Sequence, residues 1–340
     1  MNRNLRDGWN YLSRLTPAKI SNMAKILSSY YYSRLTSKPR HLGMPISLSI
    51  EPTTSCNLRC PQCPSGLRAF TRPTGMLQGD LYKRLIDEQS KTLTYLNLYF
   101  QGEPYLNKEF LDMVRYASDR KIYTATSTNA HYLDEENSRR TVLSGLDRII
   151  VSIDGIDQES YSKYRVGGNL EKVLTGTRNL VSAKRSLKSS TPHIIWQFIV
   201  FRHNENQLEE IKRLAHEYGV DELGIKTAQV YDYENGHDLI PESEEYRRYT
   251  AEGDSFAIKN SLLSNCWRMW NSCVITWDGK IVPCCFDKDA THQLGDLKTN
   301  TFAEIWHGAQ YRNFRATLLK GRDQIEICRN CSEGTKIWAS

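Results

Sequence analysis

The residues of this chain best suited to chemistry are its nine cysteines, which fall into two groups. Three form a tight run at positions 56, 60 and 63, and the other six lie between positions 266 and 331. Disulfide frameworks are typical of small secreted proteins, whereas this chain has 340 residues and begins without a recognisable signal peptide. The close spacings therefore indicate metal binding.

The first group has the spacing Cys-x3-Cys-x2-Cys and directly follows the first predicted strand. Three thiolates on one loop can hold three corners of a cubane iron–sulfur cluster and leave the fourth iron without a protein ligand. Chemistry can occur at such an open iron. A structural zinc site is the weaker alternative, because it needs a fourth ligand and the nearest histidines are His41 and His131.

From about residue 45 the sequence alternates short apolar strands with amphipathic helices. The predicted strands are Ile46–Ile50, Thr94–Phe100, Ile122–Ser127, Arg148–Ile153, His193–Phe201 and Glu222–Thr227. Helices are predicted near residues 80–90, 108–119, 135–144, 170–186 and 206–218. This alternation predicts an α/β fold with a parallel sheet, either an open doubly wound sheet or a partial barrel.

The alternation stops after about residue 230. Tyr231–Ser255 is polar and acidic, which predicts a linker or lid. Cys273–Asp287 has the pattern of a β-hairpin with its turn at Asp278-Gly279, and a helix is predicted from Thr301 to about Leu319. The last part of the chain is therefore expected to form a small module rich in cysteine.

With its cysteine run at this place, the sequence resembles the radical S-adenosylmethionine (SAM) enzymes over roughly residues 45–230. The resemblance implies a partial (β/α)6 TIM-like barrel, which decides between the two architectures. It also implies that Cys56, Cys60 and Cys63 bind a [4Fe–4S] cluster whose open iron is chelated by SAM. The family commonly has an aromatic residue beside the adenine just before the third cysteine. This chain has Gln62 there, so we expect a different adenine contact.

Further residues at the predicted strand ends fit the same resemblance. Gln101-Gly102-Glu103-Pro104 resembles the family's Gly-Gly-Glu-Pro motif, whose backbone and carboxylate receive the SAM amino group. The side chains expected at the SAM ribose, methionine end and carboxylate are those of Ser127, Asn129, Ser152, Asp154 and Arg165. Active sites of βα barrels collect at the C-terminal ends of the strands, so we expect these groups to meet there.

The second cysteine group resembles the SPASM and twitch modules, in which a β-hairpin and a helix hold auxiliary [4Fe–4S] clusters. The pattern Cys-x17-Cys-x43-Cys-x2-Cys implies Cys266, Cys284, Cys328 and Cys331 as ligands of one auxiliary cluster, with Cys273 or Cys285 able to replace one of them. A zinc site of four thiolates is the alternative. The expected domains are a helical arm (1–44), the radical SAM core (45–230), a linker or lid (231–260) and the auxiliary module (261–340).

The resemblance implies that SAM is cleaved reductively to a 5′-deoxyadenosyl radical, which abstracts hydrogen from the substrate. Four thiolates leave an auxiliary cluster no open site, so we expect it to accept an electron in a net oxidation such as a dehydrogenation. The base would be Asp287 or Lys226, with a turn aspartate as the alternative for Asp287. The arm looks too short for a leader-binding domain, which favours a small-molecule substrate. A SPASM-type peptide maturase and a non-enzymatic iron–sulfur or zinc protein are the alternatives.

The net charge of +6 is concentrated at the N-terminus, where residues 1–45 hold eight Lys and Arg residues and one acidic residue, Asp7. This aromatic, basic arm could lie on an anionic membrane, or it could be a helix packed on the main domain with a solvated basic face. No apolar stretch is long enough to span a bilayer, so a cytoplasmic protein is expected. We expect no nucleic-acid partner, and a flavodoxin- or ferredoxin-type electron donor.

Overall fold

The structure, a computed structural model, describes residues 3–253, 255–259 and 262–331. Six parallel strands form its centre: β1 (Ser47–Ile50), β2 (Tyr95–Asn97), β3 (Tyr123–Thr128), β4 (Arg148–Ser152), β5 (His193–Val200) and β6 (Glu222–Thr227). All six were predicted, with small shifts at their ends. The expected module at 261–340 includes residue 261 and residues 332–340, which lie outside the described part of the chain.

The strands pair in chain order from β1 to β6, each parallel to the next. In a doubly wound sheet the order of the strands would reverse, so that later strands are added at the other edge of the first one. Winding in one direction produces the partial (β/α)6 barrel. Ile149 and Val151 of β4 and Trp196 and Phe198 of β5 are fully buried, and the period of two places each pair on one face of its strand.

Helices connect the strands and cover the outside of the barrel. They are α3 (Pro64–Leu67), α4 (Gly79–Gln89), α5 (Phe110–Ser118), α6 (Glu135–Leu143), α7 (Gln158–Tyr164), α8 (Leu170–Ser186) and α9 (Leu208–Tyr218). The side chains of Asp134, Asp157 and Asn169 accept hydrogen bonds from the first turns of α6, α7 and α8. These caps satisfy backbone N–H groups that would otherwise lack partners.

The N-terminal arm consists of two helices, α1 (Arg3–Ser13) and α2 (Pro17–Thr36), packed on the barrel. Arg14 pairs with Asp147 at 2.6 Å, and Arg148 of β4 pairs with Asp7. Buried Lys19 donates to the carbonyl of Lys121, and burial lowers its pKa to about 8. The arm therefore packs on the barrel, as the alternative of a packed helix predicted, but part of its charge contacts the barrel instead of solvent. None of the described helices is long and apolar enough to cross a membrane.

The segment after β6 contains an antiparallel hairpin of β7 (Tyr249–Glu252) and β8 (Ser255–Ile258), which the expectation of a linker did not include. The remaining elements are α10 (Arg268–Asn271), β9 (Ser272–Ile275), β10 (Lys280–Val282), β11 (Gly295–Asp296), α11 (Phe302–Trp306), α12 (Ala309–Lys320) and α13 (Glu326–Arg329). The hairpin predicted at 273–287 is β9–β10. The single helix predicted from Thr301 to about Leu319 is divided into α11 and α12, because the chain turns at Gly308. A Cβ at Gly308 would lie 2.8 Å from the carbonyl oxygen of Glu304.

The cysteine-rich module joins the barrel sheet directly. β9 pairs with β1 in parallel, from Ser47 opposite Ser272 to Ile50 opposite Ile275. The result is one nine-stranded sheet in the order β11-β10-β9-β1-β2-β3-β4-β5-β6. This pairing fixes the module relative to the barrel strands that carry the site.

His41 should make the protein less stable in mild acid. Its Nε2 donates to the carbonyl of Trp270 at 2.9 Å, and burial lowers its pKa to about 2. In the unfolded chain the pKa is about 6.5. The free energy of unfolding is therefore unaffected by His41 above pH 6.5. It falls as the pH drops below 6.5, since only the unfolded state takes up the proton. Urea unfolding at pH 7 and pH 5 should show a smaller loss for His41→Gln than for the wild type.

The control for this prediction is His216→Gln, which removes an exposed histidine. It should lose as much stability as the wild type between pH 7 and pH 5. Equal losses in the wild type and His41→Gln would contradict the prediction.

Candidate active site

A cavity of about 350 Å³ opens at the C-terminal ends of the barrel strands, and all three cysteines of the first group line it. The cysteine loop lies between β1 and α3, and Cys63 immediately precedes α3. Gly66 lets this short helix pack on the loop, because a Cβ there would lie 2.5 Å from the backbone nitrogen of Cys60. The sequence therefore presents three thiols to one space.

Each of these thiols lies within hydrogen-bonding distance of a polar side chain from another part of the barrel. Asn129 Nδ2 is 3.9 Å from Cys56 Sγ, Arg165 Nη1 is 3.9 Å from Cys60 Sγ, and Gln101 Oε1 is 3.8 Å from Cys63 Sγ. Burial raises the pKa of Cys56 to about 11. Iron ligation requires the thiolate, so binding a cluster must release protons.

The donor set fits a cluster of several irons. Three thiols surround a cavity and have polar neighbours of the kind that tune sulfur ligands. Within the described part of the chain, no three His, Cys, Asp or Glu side chains have the geometry of a site for a single metal ion.

The predicted Gln101-Gly102-Glu103-Pro104 motif brings backbone close to the cysteine loop. Gly102 has φ +74°, and a Cβ there would lie 2.3 Å from the carbonyl oxygen of Thr53, so only glycine fits. The Glu103 carboxylate accepts hydrogen bonds from Thr128 Oγ1 at 2.7 Å and from the backbone N–H of Asn129 at 2.8 Å. Burial raises the pKa of Glu103 to about 7. Its carboxylate thus links the ends of β2 and β3, while Pro104 begins a 3₁₀ turn outside the cavity lining.

Asp154 differs from its expected role. It is fully buried, it accepts the backbone N–H of Ile199 at 2.7 Å, and its other oxygen pairs with Arg165. Asp154 does not line the cavity, whereas Arg165 does. The structure therefore corrects the direct SAM contact expected of Asp154: this carboxylate holds Arg165.

Three other predicted contacts line the cavity, namely Ser127, Asn129 and Ser152. Gln62 lines it as well and connects the cysteine loop with the segment after β6. Its Oε1 accepts the backbone N–H of Tyr231 at 3.0 Å, and its Nε2 lies 3.3 Å from His237 Nε2. The amide of Gln62 therefore forms hydrogen bonds with the segment after β6, which the ring of a phenylalanine could not form.

Of the two predicted bases, Lys226 lines the cavity and Asp287 does not. Asp287 is buried and accepts from the backbone N–H groups of Thr291 and His292 at 2.8 and 2.9 Å. The prediction of a catalytic Asp287 is corrected, because its oxygens stabilise a turn. Asp287 is therefore a turn aspartate, as the alternative interpretation predicted.

Sequence reasoning missed several lining residues: Tyr99, Phe100, Tyr164, Gln197, Ile199, Phe201, Thr227, Gln229, Arg248, Phe286 and Lys288. Gln197 and Ile199 alternate along β5, and this period of two could have identified its inward face. Arg248 and Lys288 lie outside the barrel strands, where no periodic signal marks them.

The four predicted auxiliary ligands lie together in the C-terminal module. Cys284 interacts electrostatically with Cys266 and Cys331, and Cys328 interacts with the same two thiols. Burial raises the pKa of Cys328 to about 11. Buried Arg322 also interacts with thiols of this group and supplies a positive charge that would favour thiolates.

The two predicted substitutes have different surroundings. Cys273 is buried in β9 beside Tyr311 and Arg315. Cys285 lines the active-site cavity. Cys285 also interacts electrostatically with Cys284, and the possibility that either cysteine replaces an auxiliary ligand stays a prediction.

Comparison with known proteins agrees with both sites. Residues 50–216 match the model of the radical SAM superfamily, and residues 266–332 match the SPASM family, described as an iron–sulfur cluster-binding domain. The chain belongs to the radical SAM superfamily and carries a SPASM domain. These domains imply a SAM-binding [4Fe–4S] cluster and an auxiliary iron–sulfur cluster, so the zinc alternatives lose their support.

Two curated relatives are enzymes by name. The chain is 26% identical to the tungsten-containing aldehyde ferredoxin oxidoreductase cofactor-modifying protein of Pyrococcus furiosus, over 84% of this chain and 86% of that one. It is also 26% identical to the PqqA peptide cyclase of Granulibacter bethesdensis, over 86% and 81%. We conclude that this protein is an enzyme, and the non-enzymatic alternative loses its support.

A solved structure supports the fold. The crystal structure of BtrN in complex with AdoMet and 2-DOIA has a TM-score of 0.54 and 18% identity, covering 85% of this chain and 94% of that one. At this identity the likeness concerns the fold alone.

Proposed function

We propose that this enzyme abstracts a hydrogen atom from its substrate in a net oxidation, with Cys56, Cys60 and Cys63 as ligands of the SAM-binding cluster. The observation that carries the proposal is the convergence of three thiols and strand-end polar groups on one cavity. When bound, a reduced cluster and SAM supply a 5′-deoxyadenosyl radical, which takes a hydrogen atom from carbon. The chain's own residues bind, orient and shield these groups.

Arg165 is proposed to bind the SAM carboxylate. Asp154 fixes its position by an ion pair, and its guanidinium lies beside Cys60. The backbone at Gly102, where a side chain cannot fit, is proposed to receive the SAM amino group. We assign the ribose and methionine end to Ser127, Asn129 and Ser152, and the adenine contact to Gln62. Glu103 lines the cavity and keeps its predicted contact with the SAM amino group in this proposal, and its carboxylate also orients Thr128 and Asn129.

Cys266, Cys284, Cys328 and Cys331 are proposed to hold one auxiliary cluster that accepts an electron. When bound, this cluster would supply an acceptor for one electron, so that a net oxidation would remove one hydrogen atom, one electron and one proton from the substrate, the proton passing to a base. Lys226 is the proposed proton acceptor because it lines the cavity. A flavodoxin- or ferredoxin-type donor and a cytoplasmic location remain predictions.

A peptide-modifying maturase is the second candidate. The name of the PqqA peptide cyclase specifies a peptide as that relative's substrate, and the likeness covers most of both chains. Substrate candidates of both kinds can be compared by deuterium transfer from a labelled substrate into 5′-deoxyadenosine.

The proposed function is tested by anaerobic reconstitution with iron and sulfide. We expect about eight iron ions per chain, as two four-iron clusters require. Addition of SAM should change the EPR spectrum of the reduced protein, and a strong reductant should yield 5′-deoxyadenosine. Protein that contains zinc instead of iron and binds no SAM would overturn the proposal.

Replacing Cys284 by alanine should remove the auxiliary cluster alone. We expect the iron content to fall by about four per chain, because the auxiliary cluster loses one of its four proposed thiolate ligands. The spectral response to SAM should persist. Iron analysis and EPR check this prediction, with Cys273→Ala as control, since Cys273 is buried beside Tyr311 instead. Full iron content in Cys284→Ala would contradict the ligand assignment.

A further inference from the structure

Two cations line the cavity from elements outside the barrel. Arg248 immediately precedes β7 in the segment after β6, and Lys288 follows β10 in the C-terminal module. The ammonium of Lys288 lies 4.8 Å from the ring centroid of Tyr231. The wall beside the proposed SAM contacts therefore carries positive charge from two separate parts of the chain.

Neither cation pairs with a carboxylate among the described residues. Nε and Nη1 of Arg248 are buried and have no hydrogen-bond partner there. Other arginines near the site are paired: Arg165 with Asp154, and Arg72 with Glu51. A cation in a cavity wall without a partner is suited to an anion that arrives with a ligand.

The cavity does not neutralise this charge itself. Among the described lining residues, Glu103 is the only acidic one, and its carboxylate is bonded to Thr128 and Asn129. Arg165 is a separate case, since it lies beside Cys60 and is assigned to SAM. Arg248 and Lys288 thus remain available on the substrate side.

We infer that the substrate carries an oxyanion, a carboxylate or a phosphate, which binds between Arg248 and Lys288. This inference rests on the proposed function, because it assumes that the remaining cavity receives the substrate. Guanidinium groups bind such oxyanions by charge-assisted hydrogen bonds, and a lysine adds a compact point charge. The anion would bridge the segment after β6 and the C-terminal module, and so orient the rest of the substrate toward the barrel.

The test uses reconstituted protein with SAM bound, titrated separately with inorganic phosphate and with succinate. Sodium chloride at the same ionic strength serves as the reference, and binding is followed by calorimetry and by the shift in melting temperature. We expect saturable binding of at least one anion. Arg248→Gln should weaken it about tenfold or more, since the variant loses a charge-assisted hydrogen bond. Lys288→Gln should weaken it as well.

Matched controls remove neighbouring cations that do not line the cavity. Arg247→Gln removes a guanidinium paired with Glu244, and Lys280→Gln removes an ammonium near Asp278. Both should bind the anions as the wild type does. Melting temperatures without anion establish that all four variants are folded.

Stronger binding of phosphate supports a phosphorylated substrate, and stronger binding of succinate supports a carboxylated one. No saturable binding beyond the chloride reference, or unchanged binding in Arg248→Gln, overturns the inference. The same preparation is assayed for 5′-deoxyadenosine. If it forms this product but binds neither anion, the inference fails and the proposed function stands. If it binds no SAM, the proposed function itself fails.

Discussion

Cys60→Ala should reduce 5′-deoxyadenosine formation to the level of a blank without enzyme. Cys60 is buried at the cavity wall, 3.9 Å from Arg165, and the loop offers no other thiol to replace it. With two thiolates left, a cluster with one open iron loses a corner. Iron content should fall by about four per chain, and the EPR response to SAM should disappear.

Together with Cys284→Ala, this variant separates the two sites. Both should lose the same amount of iron, but only Cys60→Ala should lose the response to SAM. Cys273→Ala is again the control, because it removes a buried thiol that belongs to neither proposed set of ligands. Product formation by Cys60→Ala, or equal loss in Cys273→Ala, would refute the assignment.

Arg72→Met should destabilise the protein by about 3–5 kcal/mol, because it leaves a buried carboxylate without its partner. The guanidinium of Arg72 bonds both oxygens of Glu51, at 2.8 and 2.6 Å, and Glu51 also accepts the backbone N–H of Trp277. Burial raises the pKa of Glu51, while Arg72 opposes that shift. The pair connects the end of β1, the chain after the cysteine loop and the β9–β10 turn.

The measurement is urea unfolding at pH 7 of Arg72→Met and of the double variant with Glu51→Gln. Removing both charges should cost less than removing Arg72 alone, since no uncompensated charge stays buried. A double variant less stable than Arg72→Met would show that the ion pair is not the source of the loss.

The barrel could be predicted because its signals are local. β6 and α8 begin and end where the sequence predicted, since apolar periodicity and the cap at Asn169 mark them. The cysteine loop was equally visible, because its ligands lie within eight residues. Sequence patterns of this kind need no knowledge of distant contacts.

Other features depend on where side chains point. Nothing in the sequence shows that Asp287 turns toward its own loop, or that Asp154 faces Arg165 rather than the cavity. Cys284 and Cys285 are adjacent, yet one interacts with the auxiliary thiols and the other lines the active site. Arg248 lies in a segment predicted to be a linker. Its position in the cavity wall depends on distant contacts, which no periodic pattern in the sequence indicates.

The pairing of β1 with β9 also constrains how the protein can be made. The paired residues Ser47 and Ser272 are 225 positions apart. At a synthesis rate of about 5–20 residues per second, β1 waits roughly 10–45 s before its second neighbour leaves the ribosome. Until then one side of the strand exposes unpaired backbone groups, which are templates for association between nascent chains. The first strand of the barrel, which leads directly into the first cysteine loop, is thus among the last to be protected.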